Sequence, residues 1–401
     1  MRRRAGRQLR ELIKDWTMLA REESSARTQF PGLALCGTRR LRISVQTVLW
    51  WRATLSDFPS VPGSTATEPD YGALGWRFGA LTVQRFGAML GPLTFVLPSG
   101  RAVSPLFQAP WAAEVSDPAV LGVIAHLRGE WPCVPFGVQP EPREFTERWA
   151  APLRGATDRT LLHGHGANVE WRFTRVSAAT LELTCAYPAD DDIHSLTRCI
   201  RAIPDEPAVE LILTVRARRP TRVPIGLHFT FGSVASPVVI RPGRFEAGWT
   251  YPGPLGASQA FARDRPFADL ARVPGCAAGS LDATRFPFEH PNEDLLQLTG
   301  VEGSCSLDYP EQAYRVTLAW NREHFPSLHL WLSNRAVKTA PLSGRTVALG
   351  VEPVCSAFGL GKGVSAGANP IAASGTKTAI DIDPGHPFET TYRISAADLA
   401  I

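Results

Sequence analysis

The sequence lacks the features that mark several large protein classes. No run of roughly 18 apolar residues occurs in the 401-residue chain, so no membrane-spanning helix is predicted. The 7 cysteines include no CxxC pair and no spacing typical of a zinc site, and scattered thiols favour a reducing compartment. The net charge of +4 comes largely from arginines within the first ten residues, so no nucleic-acid-binding surface is predicted.

A secretory signal is also missing, although the chain begins with basic residues. Glu11, Lys14 and Asp15 interrupt the place where the apolar core of a signal peptide should lie. Together with the scattered cysteines, this pattern predicts a cytoplasmic protein.

Residues 1–25 carry a helical pattern of apolar side chains between basic ones. The apolar positions are Leu9, Leu12, Ile13, Trp16 and Leu19. A basic amphipathic helix would serve as an arm for a membrane surface or a partner. The alternative, which we favour, is an appendage translated from an early start codon. We expect a partly helical or disordered extension over residues 1–60 and one domain over residues 61–401.

What the sequence has in quantity is turn residues and short alternating segments. Glycine and proline, 34 of each, are scattered without a period, which favours an all-β fold. The best helical pattern of the body covers residues 118–127. Many strands and few helices predict a large antiparallel β-sandwich. The predicted strands are 80–83, 87–90, 93–97, 169–176, 180–187, 208–217, 223–231, 314–320, 327–333, 346–351 and 388–395.

The segment 221–232 alternates like a strand and carries a histidine. Its apolar face has Val223, Ile225, Leu227, Phe229 and Phe231. His228 lies on the other face, between Gly226 and Gly232, and glycine neighbours leave room for a ligand. His228 could therefore be a site residue. The alternative, which this segment taken alone favours, is a hydrogen-bonded histidine that fills space between two sheets.

The segment 345–353 alternates in the same way and presents a carboxylate. Its core face has Val347, Leu349 and Val351. Glu352 lies on the opposite face, after Ala348 and Gly350. A carboxylate is costly to bury unless it has partners or a chemical task. A functional role and a salt bridge at the rim of the sheet explain this segment equally well.

Two histidines stand in a glycine-rich turn, Leu162-His163-Gly164-His165-Gly166. Glycines on both sides of His165 allow the backbone to turn sharply. Two histidines at this spacing could bind a metal ion, but no third ligand has suitable spacing, so we predict no metal site. The alternative to a functional role is a turn whose histidines cap backbone groups.

Trp331 alternates onto the face opposite the leucines in Leu330-Trp331-Leu332. Aromatic rings stack on sugar faces, which makes Trp331 a candidate for substrate binding. A tryptophan in the core between two sheets is the more common alternative.

Taken together, these segments resemble the galactose mutarotase-like superfamily, which contains the aldose 1-epimerases. The resemblance depends on the order, spacing and strand context of short motifs between residues 71 and 401. The motifs are Leu162-His163-Gly164 with Trp171 downstream, His228-Phe229-Thr230-Phe231, Val351-Glu352-Pro353 and Asp383-Pro384-Gly385-His386. The family's fold, a galactose mutarotase-like supersandwich, is therefore the expected architecture.

The resemblance implies acid–base chemistry on a sugar, without a cofactor. Glu352 would be the general base that takes the proton of the anomeric hydroxyl, and His228 the general acid that protonates the ring oxygen. His163 would bind near the anomeric centre. We expect His228 and Glu352 on one concave face, a sugar ring's width apart. The predicted substrate-binding residues are His165, Trp171, Glu289 and Trp331.

The sequence also departs from the family pattern. Phe136-Gly137 stands where many members have an arginine that contacts the sugar or its phosphate, so recognition of a phosphosugar is not implied. The family's sugar-binding aspartate has no clear counterpart; Glu289 is similar in context, and Asp282 and Asp294 are rivals. The leading hypothesis is an aldose 1-epimerase-like enzyme for a monosaccharide or sugar derivative. The alternatives are a non-catalytic carbohydrate-binding or sensor protein and, less favoured, a lyase or hydrolase.

Overall fold

The computed structural model describes residues 69–399, apart from residues 113, 115–119, 121, 157–160 and 233–236. The predicted N-terminal extension and its boundary at residue 60 lie outside the described residues and stay predictions. Within the described part of the chain, no helix combines the length and the apolar character needed to cross a membrane.

Most of the described chain is strand, as the frequent turns and alternating segments predict. In chain order the strands are β1 (Tyr71–Trp76), β2 (Gly79–Gln84), β3 (Leu90–Val96), β4 (Ala102–Val103), β5 (Glu130–Cys133), β6 (Arg172–Val176), β7 (Thr180–Ala186), β8 (Ile193–Ala202), β9 (Ala208–Ala217), β10 (Thr221–Val223), β11 (Ile225–Gly232), β12 (Val238–Pro242), β13 (Ala247–Thr250), β14 (Pro266–Phe267), β15 (Val273–Pro274), β16 (Ser280–Leu281), β17 (Arg285–Phe286), β18 (Asn292–Thr299), β19 (Ser304–Tyr309), β20 (Tyr314–Trp320), β21 (Ser327–Asn334), β22 (Val347–Cys355), β23 (Ile380–Ile382) and β24 (Phe388–Asp398).

Two large antiparallel sheets contain most of these strands. The larger sheet has 11 strands in the order β1-β2-β3-β5-β11-β22-β21-β18-β13-β14, with β4 paired to β3. The smaller sheet has 9 strands in the order β17-β12-β19-β20-β24-β9-β8-β7-β6. Two further pairs, β10-β23 and β15-β16, stand apart from both sheets.

The helices of the described residues are short. They are α1 (Gly122–Ala125), α2 (Glu147–Gly155), α3 (Gly361–Ala366) and α4 (Pro370–Ala373), with 3-10 turns at Pro142–Glu144, Gly166–Asn168 and Leu270–Arg272. Of the helix predicted over residues 118–127, the turn α1 is confirmed, while residues 118, 119 and 121 lie outside the described residues. The strand predicted over residues 87–90 is wrong, because Gly87 and Ala88 have positive φ angles of 62° and 48° and form a turn before β3.

The hydrophobic core fills the space between the two large sheets, which confirms the predicted sandwich. Strand β11 contributes the apolar face expected from its sequence: Ile225, Leu227, Phe229 and Phe231, all buried. The smaller sheet contributes its own alternating row, such as Leu211, Leu213 and Val215 of β9. The alternate side chains of β11, β22, β21 and β18, which point away from this core, therefore lie on the outer face of the larger sheet.

That outer face is covered by connecting segments rather than open to solvent. One buried cluster on it contains Trp131, Phe136 and Val354. A second contains Trp149, Phe358 and Leu360, which come from α2 and the segment before α3. Side chains on this face of the central strands are consequently enclosed between the sheet and a layer of loops.

Candidate active site

Five neighbouring strands of the larger sheet place one polar or aromatic residue each in a row on this outer face. His228 of β11 lies opposite Trp131 of β5. The register of β11 with β22, which pairs Phe229 with Val351, places His228 opposite Glu352. Glu352 in turn pairs with His329 of β21, and His329 with Gln297 of β18. We call Trp131, His228, Glu352, His329 and Gln297 the polar row.

Glu352 stands at the centre of the polar row between two imidazoles. Its Oε2 atom is 3.0 Å from Nδ1 of His329, and its Oε1 atom is 3.5 Å from Nε2 of His228. The three side chains are almost completely buried, with 2% of the Glu352, 4% of the His329 and 7% of the His228 surface exposed. Burial raises the pKa of Glu352, while the charge and hydrogen bond of His329 oppose that rise.

His228 and Glu352 share one face, as expected, but their separation differs from the expected width of a sugar ring. The 3.5 Å distance is that of direct neighbours. The reason is their register, because residues opposite each other on adjacent antiparallel strands have Cβ atoms only about 5 Å apart. A ligand must therefore approach both groups from the same side.

His228 is held by an aromatic ring and a hydroxyl. Its imidazole stacks on the indole of Trp131, with ring centroids 4.1 Å apart and an angle of 16° between the planes. Nδ1 of His228 lies 3.2 Å from Oγ1 of Thr230 on the same strand face. Burial, and then the neighbouring His163 and His329, lowers the pKa of His228 well below its usual value, so the ring is neutral. If Thr230 donates to Nδ1, Nε2 carries the proton and faces Glu352.

His163 reaches the same place from the glycine-rich turn. Its ring centroid is 4.9 Å from that of His228. The backbone N–H of Gly137 points at Nδ1 of His163 over 3.3 Å, and since an N–H can only donate, Nδ1 is the acceptor. The proton of this neutral imidazole is therefore on Nε2. Burial, followed by the nearby His329, lowers the pKa of His163 to about 3.

The backbone of this turn has a strained conformation at His163, and this conformation places the imidazole ring beside His228. His163 has a φ angle of 61°, in the left-handed region that costs most residues about 1–2 kcal/mol. The next residue, Gly164, has a φ angle of 83°, and a Cβ atom there would lie 2.0 Å from the carbonyl oxygen of Val134. Glycine is thus required at this position, and its presence beside His163 was a usable sequence signal.

The space beside His228 is not the ligand cavity that its glycine neighbours suggested. The ring of Phe136 fills the space over Gly226, with its Cδ2 atom 2.3 Å from where a Cβ atom would lie. Phe136 also contacts the rings of His163 and His329, with centroids 5.1 Å and 5.6 Å apart. The glycine is needed because the ring of Phe136 covers the polar row at this point.

Trp331 lies at the more exposed end of the site with a carboxylate beside it. Its indole nitrogen donates to Oε1 of Glu293 over 2.5 Å, and its ring centroid is 6.1 Å from that of His228. Glu293 of β18 is buried, and burial raises its pKa to about 7. Its Oε2 atom meets no hydrogen-bond partner at full geometry among the described residues, although the side chain of Ser333, opposite it on β21, is near enough to lower its pKa. A buried carboxylate oxygen without a partner, next to a partly exposed indole, is suited to accept a ligand hydroxyl.

The other predicted binding residues lie elsewhere. His165 precedes the 3-10 turn at Gly166–Asn168 and packs against Tyr187, with centroids 5.0 Å apart. Glu289 is exposed in the loop before β18, and the rival Asp294 accepts from the backbone N–H groups of Ala260 and Phe261.

Trp171 lies away from the polar row, and its predicted substrate-binding role stays a prediction. Trp171 is 1% exposed in the core between the sheets, on the side of the larger sheet away from the polar row. Its indole nitrogen donates to the carbonyl oxygen of Gly166 over 2.8 Å. The tryptophan therefore supports the glycine-rich turn from below, which is a structural role.

His329 and Glu293 are among the residues of the site that were missed from the sequence. His329 has the same alternation as Trp331, since both separate leucines in Leu328-His329-Leu330-Trp331-Leu332. The alternation that places Trp331 on the face opposite the leucines also places His329, two positions earlier, on that face. Glu293 gave a weaker signal, because Asn292-Glu293-Asp294 reads as a polar turn rather than as the start of a buried strand.

The site brings proton donors and acceptors together at side chains that are almost completely buried from solvent. It has one carboxylate with a raised pKa and two imidazoles with lowered pKa values, Glu352, His228 and His163. Within the described ranges, no group of three or more histidine, cysteine, aspartate or glutamate side chains is arranged to hold a metal ion. Because burial raises the pKa of the carboxyl group and lowers that of the imidazoles, their proton affinities approach each other, which suits proton transfer between groups in contact.

Comparisons with known proteins identify the fold. No family model matches the sequence, and no curated protein matches it. Solved structures do match, among them a candidate aldose 1-epimerase from Escherichia coli K12 with a TM-score of 0.57 and 14% identity, covering 82% of this chain and 99% of that one. An aldose epimerase homologue from C. elegans has a TM-score of 0.53 and 12% identity over 82% and 99% of the two chains. A galactose mutarotase-like protein from Lactobacillus casei has a TM-score of 0.52 and 13% identity over 81% and 99%.

Proposed function

We propose that this chain, which has the galactose mutarotase-like fold, is an aldose 1-epimerase-like enzyme that interconverts the α and β anomers of an aldose. The observation that carries the proposal is the contact of Glu352 with His228 on one enclosed face, with the donor His163 beside them. Anomer exchange needs one proton removed from the anomeric hydroxyl and one delivered to the ring oxygen. A carboxylate and an imidazole in contact supply both.

The short distance between Glu352 and His228 suits this reaction. The anomeric hydroxyl and the ring oxygen are bonded to the same carbon, so the base and the acid that serve them must be neighbours. The pair acts with its shared proton on His228, as an imidazolium beside an ionised Glu352. Glu352 then accepts the hydroxyl proton through Oε1, and the imidazolium donates its Nε2 proton to the ring oxygen and becomes a neutral imidazole. Glu352 can then pass its proton to His228 across the 3.5 Å contact, which restores both groups.

His163 supplies a donor that does not need to be charged. Because Gly137 fixes Nδ1 as an acceptor, Nε2–H is available to the oxygen on C1 of the open aldehyde. The pKa of about 3 keeps this imidazole neutral at physiological pH. The open form rotates about the C1–C2 bond and recloses on the other face, and the same groups act in reverse.

Recognition of the rest of the sugar falls to Trp331 and Glu293. The partly exposed indole offers a face for the sugar ring, and the unpartnered Oε2 of Glu293 accepts a hydroxyl hydrogen bond. Glu293 thereby takes the place that the sequence suggested for Glu289. Phe136 over the polar row, in place of an arginine, supports an uncharged aldose rather than a phosphosugar as the substrate.

Saturation-transfer NMR on a panel of free aldoses tests the proposal. Wild type should exchange magnetisation between the anomers of at least one sugar faster than buffer, and Glu352→Gln should reduce that rate to the uncatalysed value. Glu289→Gln, an exposed change of the same chemical kind, is the matched control and should keep the wild-type rate. Equal rates for wild type and Glu352→Gln with every aldose would rule out the enzymatic function.

A non-catalytic carbohydrate-binding protein is the second candidate. The observation that favours it is the near-complete enclosure of Glu352 and His228, with 2% and 7% of their side chains exposed. Isothermal titration calorimetry separates the two. Sugar binding that survives Glu352→Gln without anomer exchange in wild type would favour the binding protein.

A further inference from the structure

We infer that His329 is a positioning residue that holds Oε2 of Glu352 and so presents Oε1 as the reacting oxygen. The expected effect of His329 on the reaction rate rests on the proposed function, but the hydrogen bond between His329 and Glu352 does not depend on it. His329 lies directly opposite Glu352 in the register of β21 and β22, and its Nδ1 atom is 3.0 Å from Oε2.

The two oxygens of Glu352 have different surroundings. Oε2 faces His329, which is 3% exposed and enclosed by the rings of Phe136 and Phe358 at 5.6 Å and 6.1 Å. Oε1 faces His228, which lies towards the partly exposed His163 and Trp331. The side of the carboxylate nearer to solvent is therefore the Oε1 side, and the His329 side is closed to a ligand.

The contact fixes the tautomer of His329. An ionised carboxylate can only accept, so Nδ1 of His329 must carry the proton. Its Nε2 atom is buried without a hydrogen-bond partner among the described residues. The ring is thus specialised for one hydrogen bond, the one to Glu352.

No other group that faces Glu352 can replace this donor. His228 of β11 is farther from Glu352, at 3.5 Å, and in the proposed reaction its proton goes to the ring oxygen of the substrate. Cys133 of β5 is a buried thiol whose pKa is raised by burial and by Glu352, so it stays uncharged. The ring of His228 lies between His163 and Glu352, so His163 makes no direct hydrogen bond to the carboxylate. Gly350, on the same strand face as Glu352, has no side chain. Without His329, the buried carboxylate loses its only close hydrogen-bond donor within the described residues.

The consequence is a change in the proton affinity of Glu352. Burial favours the protonated acid, and the hydrogen bond from His329 favours the carboxylate. Replacing His329 by leucine removes the donor but keeps an apolar side chain of useful volume. Replacing it by glutamine keeps an N–H donor at the end of a flexible chain. Leucine should therefore raise the pKa of Glu352 by about one unit or more, and glutamine should restore part of the difference.

A ¹³C NMR titration of the glutamate carboxyl carbons measures this directly, with the Glu352 signal assigned from its absence in Glu352→Gln. The expected order of Glu352 pKa values is wild type, then His329→Gln, then His329→Leu. Long-range ¹⁵N–¹H correlation spectra of wild type should also show His329 as the Nδ1–H tautomer, a result that needs no variant to fold. Equal Glu352 pKa values in all three proteins, or an Nε2–H tautomer, would overturn the inference.

The kinetic arm separates this inference from the proposed function. If wild type exchanges anomers, the acidic limb of its kcat/KM profile should move to higher pH in His329→Leu, by the same shift as the NMR titration, with partial return in His329→Gln. If wild type exchanges no anomer while the NMR order holds, the proposed function fails and the role of His329 in holding Glu352 stands. A uniform loss of rate with an unchanged pH profile would count against a positioning role.

Discussion

The Oε1 atom of Glu352 occupies the space into which a Cβ atom at Gly350 would project, 2.3 Å from that position. The Cβ atom of Trp331 lies 2.8 Å from the same position, so the space is bounded on both sides. Gly350 has no positive φ angle, and its lack of a side chain therefore matters for volume rather than for backbone conformation. The carboxylate can lie beside His228 only because residue 350 is a glycine.

We expect Gly350→Ala to displace the carboxylate of Glu352 while leaving every reacting group chemically intact. A misplacement of about 1 Å can lower activity roughly 100-fold, and the crowding should lower the free energy of unfolding by about 1–3 kcal/mol. Anomer-exchange rates and urea unfolding measure both effects. Gly232→Ala on the same face of β11 is the control, because its added methyl group would meet no atom closer than 3.8 Å. Equal activity in the two variants would contradict this account.

The φ angle of 61° at His163 predicts an ordering of variants that depends on the backbone alone. His163→Ala and His163→Gly both remove the imidazole and should both reduce the exchange rate. Glycine accepts the left-handed conformation without cost, so His163→Gly should be more stable to unfolding than His163→Ala by about 1 kcal/mol. Chemical denaturation of the two variants gives the difference. Alanine at least as stable as glycine would show that the turn does not hold this conformation in solution.

The strands that carry the chemistry could be predicted from the sequence because each alternates cleanly. β11 and β22 have a continuous apolar face, and that face fixed the direction of His228 and Glu352 in advance. The turn with His163 could be recognised from its glycines. Local periodicity was therefore sufficient to predict which face a polar side chain occupies wherever the other face of the strand is uniformly apolar.

The rest of the site depends on contacts between distant parts of the chain. Phe136 covers Gly226 from a loop 90 residues earlier, so the glycine suggested a cavity where the fold places a ring. Trp171 lies in the core, where its backbone N–H donates to the carbonyl oxygen of Arg85, a distant contact that the motif alone does not encode. Glu293 was overlooked because a strand that begins with three polar residues resembles a loop until its partner strand is known.

Glu293 predicts a pH dependence of stability whose sign can be stated. Burial raises its pKa from 4.5 to about 7, so between these values the folded state holds a proton that the unfolded state has released. Stability should therefore fall as pH rises through this window, by about 3 kcal/mol in total for this group. Glu293→Gln should lack this component and become more stable than wild type above pH 7. The comparison of urea unfolding at pH 5 and pH 8 tests this.

Exposed Glu289→Gln serves as the control for the loss of one negative charge in the Glu293 experiment. It should follow wild type at both pH values. A Glu293→Gln variant that gains no stability relative to wild type on going from pH 5 to pH 8 would mean that Glu293 is ionised throughout, as a solvated carboxylate would be.

A buried ion pair between the two large sheets gives the last prediction. Glu130 of β5 pairs with Arg198 of β8, both side chains are completely buried, and the hydroxyl of Tyr392 donates to Glu130 over 2.8 Å. Glu130→Gln leaves a buried guanidinium without its counter-ion and should lower the free energy of unfolding by about 3–5 kcal/mol. Because Arg198→Met removes that stranded charge, the double variant should lose less stability than the two single variants added together, by about 1–3 kcal/mol. Urea unfolding of the four proteins completes the cycle, and additive losses would mean that water reaches the pair and screens it.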